Sequence, residues 1–467
     1  MFGIEGNKFA AIALLGYIPF AFCMFIFFPP RKAVIYDFLV AWLFLPMSDL
    51  PLHGFTDLNK MSAACFGTLV GALMFDNTTV FSFRFKRWDI PMLIWCLCPF
   101  ASSLSNDKGI YDAFAAIAYQ TTRWGLPYFI GRIYFNDLKG LRELAIAIVA
   151  GGLVYLPLTW FEIRMSPQLH LIVYGYHQHD FSQTERYGGY RPMVFMQHGL
   201  AVAMWMCTAS LTAFWLWRCK AVDKVLGIPI GWACLLLMVT SLWLRSVGAE
   251  MLMILGLGVL VLTGMTRSRV WILILTLIPP VWITLRATNI YDGASLVQFA
   301  KTYDPRSAES LATRFHSERV LVGRAMRQPL LGWTPWDFLN SELAAAENGI
   351  PDQMWVIAVG EFGLVGLISL TVALLMPIWL VTQRIPVRYW KHPGAAPVAA
   401  LAMMLTLHMC DNLFNAMVNP IFIICAGGLT ALNFEFQPDR RPVGRPVSQT
   451  PALPAPALPT HGRPYPA

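Results

Sequence analysis

Apolar stretches of about 15 to 25 residues recur along the whole chain, each close to the length a helix needs to cross a bilayer core of roughly 30 Å. Hydrocarbon offers no partner to a backbone N–H or C=O, so such segments must satisfy their own backbone as helices. Composition agrees: 13% of the 467 residues are charged, against about a quarter in soluble proteins, and mean hydropathy is +0.53. The expected fold class is all-α: a polytopic integral membrane protein with about 12–13 transmembrane helices and one large helical outer loop. Candidate spans are 9–28, 33–48, 62–75, 89–104, 110–135, 143–162, 192–217, 228–245, 247–265, 270–287, 353–382, 395–411 and 419–434. Thirteen crossings put the N-terminus outside; if 62–75 or 110–135 does not cross, twelve remain and the N-terminal part is redrawn. The first apolar segment lacks a cleavage-site pattern and reads as a retained span.

A net charge of +8 would suit a nucleic-acid binder, but most basic residues lie in short connections between spans, where they set orientation instead. Nucleic acid is therefore not an expected partner. Basic clusters at Arg31-Lys32, Arg84–Arg87, Arg132–Arg142, Arg218–Lys224, Arg267–Arg269 and Arg384–Lys391 fall at alternate connections, so all can face the cytoplasm together. That leaves 162–191 and 288–352 outside and the tail inside. The nine cysteines lie in or beside apolar spans, and none falls in 162–191 or 292–352. Neither disulfides nor zinc are expected, and the outer loops carry no paired-acidic metal motif; no cofactor is implied.

Four divisions follow: an N-terminal transmembrane bundle (1–287), a large outer loop with short helices (288–352), C-terminal transmembrane helices (353–434) and a proline-rich tail (435–467). The tail composition predicts cytoplasmic disorder, with Arg440, Arg441 and Arg445 beside anionic lipid. In the loop, Asp304-Pro305 starts a helix that runs to Arg327 before Gln328-Pro329 stops it. Thr334-Pro335-Trp336-Asp337 opens a second helix reaching Glu347, closed by Asn348-Gly349.

Candidate site residues share the outer face. Arg191 begins the seventh span with His198 two turns on, which puts them on one helix face roughly 10 Å apart. The competing reading has Arg191 snorkelling to lipid phosphates and His198 bonding a neighbouring helix. Arg245 sits in the tight turn Arg245-Ser246-Val247-Gly248-Ala249-Glu250, either paired with Glu250 or free to grip a phosphate with its planar fork. Arg314 and Glu318 are four apart and suit a surface pair; Arg319 is rotated away, and the helix would lie on the membrane. His316 reads as a surface histidine. Asp352, after Pro351, is an N-cap or a base. The aromatic, histidine-rich stretch 174–190 suits a sugar-stacking lip, and His408, Asp411, Asn412, Asn415 and Asn419 cluster at the last outer turn.

The Arg-led seventh span, the Ser-x-Gly-Ala turn, the loop segment Arg314-Phe315-His316-Ser317-Glu318-Arg319 with Gln328-Pro329-Leu330-Leu331-Gly332-Trp333, and Gly360-Glu361-Phe362-Gly363-Leu364-Val365-Gly366 together resemble the O-antigen ligase/polymerase superfamily. The resemblance covers roughly residues 140–432. It implies a bacterial inner-membrane glycosyltransferase active on the periplasmic face. Its donor would be an undecaprenyl-diphosphate-linked glycan, its acceptor a hydroxyl of lipid A-core, a glycan chain or another molecule. Family arginines that grip the diphosphate would map onto Arg191, Arg245 and Arg314 or Arg319. Many members carry a histidine just before the span after the large loop; here that place is Pro351-Asp352-Gln353. Asp352 then takes the base role, with His316 in reserve and His198, Glu250, Glu318 and Asp411 as further candidates. Two rivals stand beside this reading: a flippase or transporter of lipid-linked glycans, which needs charges lining a cavity between spans, and a non-catalytic component of an exopolysaccharide assembly system.

Overall fold

The computed structural model describes residues 5–52, 56–339 and 351–432. They form an almost wholly helical molecule with two two-residue β-ribbons, β1 (Glu185–Arg186) with β2 (Gly189–Tyr190), and β3 (Lys224–Val225) with β4 (Ile228–Pro229). The main helices are α1 (Lys8–Phe27), α2 (Pro30–Phe44), α3 (Lys60–Phe75), α4 (Ile90–Ser105), α5 (Gly109–Gln120), α6 (Leu126–Tyr134), α7 (Leu138–Met165), α8 (Gly199–Arg218) and α9 (Ile230–Trp243). They continue with α10 (Val247–Thr266), α11 (Val270–Ala287), α12 (Ala294–Tyr303), α13 (Pro305–Ala325), α14 (Pro335–Leu339), α15 (Met354–Arg384), α16 (Ala396–Asp411) and α17 (Pro420–Ala431).

Six of these, α1, α7, α8, α10, α11 and α15, are long and apolar enough to cross a membrane; α3, α9, α16 and α17 are shorter apolar helices. Each of the thirteen candidate spans contains helix. The segment 110–135 is not continuous α-helix, because a π-turn at Thr121–Gly125 separates α5 from α6. α8 and α16 are buried along most of their length and form the centre of the bundle, whereas α1 and α11 keep apolar faces outward. Basic connections gather at one end. Gly264 packs against the Lys391 side chain, and the Trp390 carbonyl lies 4.0 Å from Cys219 Sγ.

In the 288–352 stretch, α13 ends at Ala325, close to the expected stop, but α12 before it was not legible in the sequence. The apolar face of α13 is covered by protein. Phe315, Leu321, Val322 and Ala325 are buried, and α13 packs on α12 as well as on α15. Of the second expected helix, Pro335–Leu339 is helical; the rest, like the 435–467 tail, lies outside the described residues.

α15 is broken at Gly363, where φ is 64° and ψ −163°, a region essentially reserved for glycine. The loop Pro329–Thr334 fits into the break. Leu364 N donates to Pro329 O (2.7 Å), Val365 N to Leu330 O (3.3 Å), Trp333 N to Gly360 O (2.9 Å) and Thr334 N to Glu361 O (3.1 Å). Irregular backbone among spanning helices is tolerated only where protein satisfies it, as here. A Cβ on Gly363 would overlap Leu330 backbone, and one on Gly332 would overlap Glu361 and Phe362 backbone. Gly363→Ala combines a strained backbone with overpacking and is expected to cost about 2–6 kcal/mol. Thermal unfolding of the purified variant in detergent checks this; an unchanged melting temperature contradicts it.

Candidate functional site

The site is built on a segment that is not helical. Residues 191–198 form a buried, irregular run, and α8 begins only at Gly199. Side chains from several elements satisfy its backbone. Glu162, near the end of α7, accepts from Met193 N (2.8 Å) and Val194 N (2.7 Å) through one oxygen and from Leu169 N (3.0 Å) through the other. The Tyr155 hydroxyl accepts from Phe195 N at 3.1 Å. Gln178 Nε2 donates to the Val194 and Met196 carbonyls (3.1 and 3.0 Å), and buried Lys60 donates to the Phe195 carbonyl at 2.9 Å. The expected helical face joining Arg191 to His198 is therefore absent: Pro192 and these side chains pull the backbone away from helix.

His198 instead caps α8, its Nδ1 accepting from Leu200 N at 3.0 Å. With Nδ1 accepting, the neutral ring carries its proton on Nε2, which makes His198 a donor and not a base. Its ring meets His179 edge-on, with centroids 4.6 Å apart.

Arg191 is 9% exposed, and its Nε and one terminal nitrogen donate to the Arg245 carbonyl at 3.3 and 2.8 Å. Burial, then the like charges of Arg186 and Arg314, bring its pKa down to about 10, which leaves it charged at neutral pH. Arg245 has φ 54° and donates to the Arg186 and Tyr187 carbonyls, clasping the β1–β2 turn; Gly189 leaves room for its guanidinium. Of the two readings of Arg245, the pair with Glu250 is not formed. Glu250 accepts from Ser246 N at 3.2 Å, and its charge is felt by Arg191.

Arg314 reaches the same region from α13. It donates to Asn415 Oδ1 at 3.2 Å and its Nε lies 3.8 Å from an Asp352 oxygen. Asn415 Nδ2 in turn donates to buried Asp411 at 2.6 Å, and Asp411 interacts electrostatically with Arg314. Asp352 is not the N-cap of α15. Gln353 holds that position without capping through its side chain, which donates to the Arg314 carbonyl (3.2 Å) and to Glu318 (3.4 Å).

Three sequence candidates stand apart. Glu318 is buried and pairs with Arg286, not with Arg314; burial raises its pKa while Arg286 opposes the rise. Arg286 is itself buried and stacks over Phe315. Arg319 lines a separate cavity beside Arg286 and Asp292, and His316 is exposed on the outer side of α13. One arginine was missed. Arg186, in β1, faces Arg191, and its Nε is buried with no hydrogen-bond partner among the described residues. Its only sequence signal was the turn Tyr187-Gly188, a two-residue hairpin loop with both residues at positive φ.

Arg186, Arg191, Arg245 and Arg314 thus gather at the end of the bundle opposite the basic connections, beside Asp352 and Asp411. α8, α10 and α15 begin at this end, so their positive dipole ends add to the field. The arrangement suits a ligand with several negative charges, next to a carboxylate able to accept a proton. Fold and cluster define a helical protein, with several helices fit to cross a membrane and a cationic site at one end. No family model matches the chain, and no curated protein matches it.

Proposed function

We propose that this chain is a multi-pass bacterial inner-membrane glycosyltransferase of 12 or 13 spans, with the arginine cluster on the periplasmic face. Its donor is an undecaprenyl-diphosphate-linked glycan. Its acceptor is a hydroxyl of lipid A-core, of a growing glycan or of another envelope molecule. The observation that carries the reading is the convergence of Arg191, Arg245 and Arg314, from three separate parts of the chain, beside Asp352.

In the reaction, the acceptor oxygen bonds to the anomeric carbon as the bond from that carbon to the phosphate oxygen breaks. The electron pair leaves with the polyprenyl diphosphate, whose growing charge the guanidiniums neutralise. The acceptor proton passes to Asp352, which lies 3.8 Å from Arg314 and is half-exposed. Buried Asp411, held by Asn415, is a further carboxylate in reach of the cluster, as is Glu250 beside Arg191.

Glycan analysis of a strain lacking the chain tests the proposal. Loss of glycan-capped lipid A is expected for a ligase, and single repeat units left on lipid A for a polymerase. Wild-type glycans would overturn both. The transport reading draws on one observation: Glu361 and Arg123 line a cavity between helices, about 10 Å into α15 from its start. A transporter would leave lipid-linked glycan stranded on the inner leaflet instead.

A further inference from the structure

A second polar feature lies away from the arginines. Between α4, α5, the π-turn and α15 is a cavity of about 490 Å³, within the usual range for small-ligand sites. Trp95, Tyr119, Trp124 and Phe362 give it aromatic walls. Three of its polar lining groups are short of partners. Gln120 is 4% exposed and its Nε2 makes no hydrogen bond among the described residues; the same holds for Nε1 of Trp95, 1% exposed. Glu361 has no hydrogen bond or ion pair through its carboxylate with any described residue, although Arg123 acts on it electrostatically. Arg123 is held from the π-turn by the Tyr119 hydroxyl at 2.6 Å.

Buried donors and charges without partners cost free energy, so such a set calls for an occupant that satisfies them. The set is mixed: donors on Gln120, Trp95 and Arg123, and an acceptor on Glu361. A simple anion would meet the Glu361 carboxylate, and a simple cation would meet Arg123. Hydroxyl groups both donate and accept, and so suit both. Aromatic walls further require one apolar face. Local structure agrees with a built site: Arg123 sits in the π-turn, a distortion common at functional positions.

We infer that this cavity binds a saccharide ring, stacked on the aromatic walls and hydrogen-bonded by Gln120, Arg123 and Glu361. It adjoins the arginine cluster through Met354, whose N–H is held by the Asn412 and Asn415 carbonyls. The inference does not rest on the transfer chemistry, since a carrier of glycans needs the same recognition.

Saturation-transfer NMR tests it on the full chain, in a detergent without a sugar headgroup. The probes are the methyl glycosides of glucose, galactose and N-acetylglucosamine, with inorganic phosphate as the anion control. Transfer to ring protons of at least one glycoside is expected, weakened about fivefold to tenfold by Gln120→Leu and by Glu361→Gln. Gln120→Leu also removes a partnerless buried amide, so the sugar-free variant should melt no lower than wild type, which separates lost recognition from lost folding. Arg314→Lys should keep the glycoside signal, so a failed transferase reading leaves this one standing. No transfer from any glycoside, displacement by phosphate, or signals unchanged in both variants would overturn the inference.

Discussion

Glu162→Ala is expected to be the most destabilising single substitution at the arginine-bearing end of the bundle. One carboxylate accepts three backbone N–H groups, from Leu169, Met193 and Val194, and is 1% exposed. Alanine leaves all three donors without a partner. At about 1–3 kcal/mol each, that amounts to about 3–9 kcal/mol, comparable with the whole stability of many domains. Glu162→Gln should be milder: its carbonyl can serve one side, while its amide opposes a donor on the other. Thermal unfolding and size-exclusion profiles in detergent report the effect. The expected order of melting temperature is wild type, then Gln, then Ala; a Glu162→Ala protein melting with wild type would mean that the 191–198 run is held by other contacts.

Transfer activity is expected to fall by about 30- to 1,000-fold in Arg314→Lys, the loss of about 2–4 kcal/mol of transition-state stabilisation. Lysine keeps the charge but not the planar fork that meets a diphosphate bidentately. Arg314 is the cleanest of the arginines to test. Arg191 and Arg245 also hold backbone carbonyls, so their substitution disturbs the β1–β2 turn as well. Asp352→Asn should lower transfer as strongly while leaving stability nearly unchanged. Its ion pair with Arg314 is half-exposed, worth at most about 1 kcal/mol, and the α15 cap falls at Gln353. Near-normal transfer by Asp352→Asn at equal protein level would remove Asp352 as the base and turn attention to Asp411.

Helical segments were legible because apolar runs of spanning length leave the backbone little choice. The interruptions were not. Arg191 to Gln197 reads as the start of a span, since Met193, Val194, Phe195 and Met196 are all apolar. What keeps that run from helix is a set of distant partners, Glu162, Tyr155, Gln178 and Lys60, which no local pattern reveals. Pairing went the same way. Spacing of four suggested Arg314 with Glu318, but Arg286, 32 residues from Glu318 in sequence, took that carboxylate. Two motifs quoted for their resemblance, Gln328–Trp333 and Gly360–Gly366, proved to be the two sides of one backbone clasp, closed by Gly332 and Gly363. Their glycines are explained by packing and need no catalytic role.

The most direct measurement uses the purified chain in nanodiscs, supplied with an undecaprenyl-diphosphate-linked glycan and a hydroxyl acceptor. Release of free undecaprenyl diphosphate is followed by mass spectrometry, together with the mass of the glycosylated acceptor. Transfer at the arginine cluster predicts one diphosphate released per glycan joined, dependent on the acceptor and strongly reduced by Arg314→Lys. Intact donor with unmodified acceptor, while the same protein in liposomes moves the lipid-linked glycan from one leaflet to the other, would contradict transfer and make the chain a transporter.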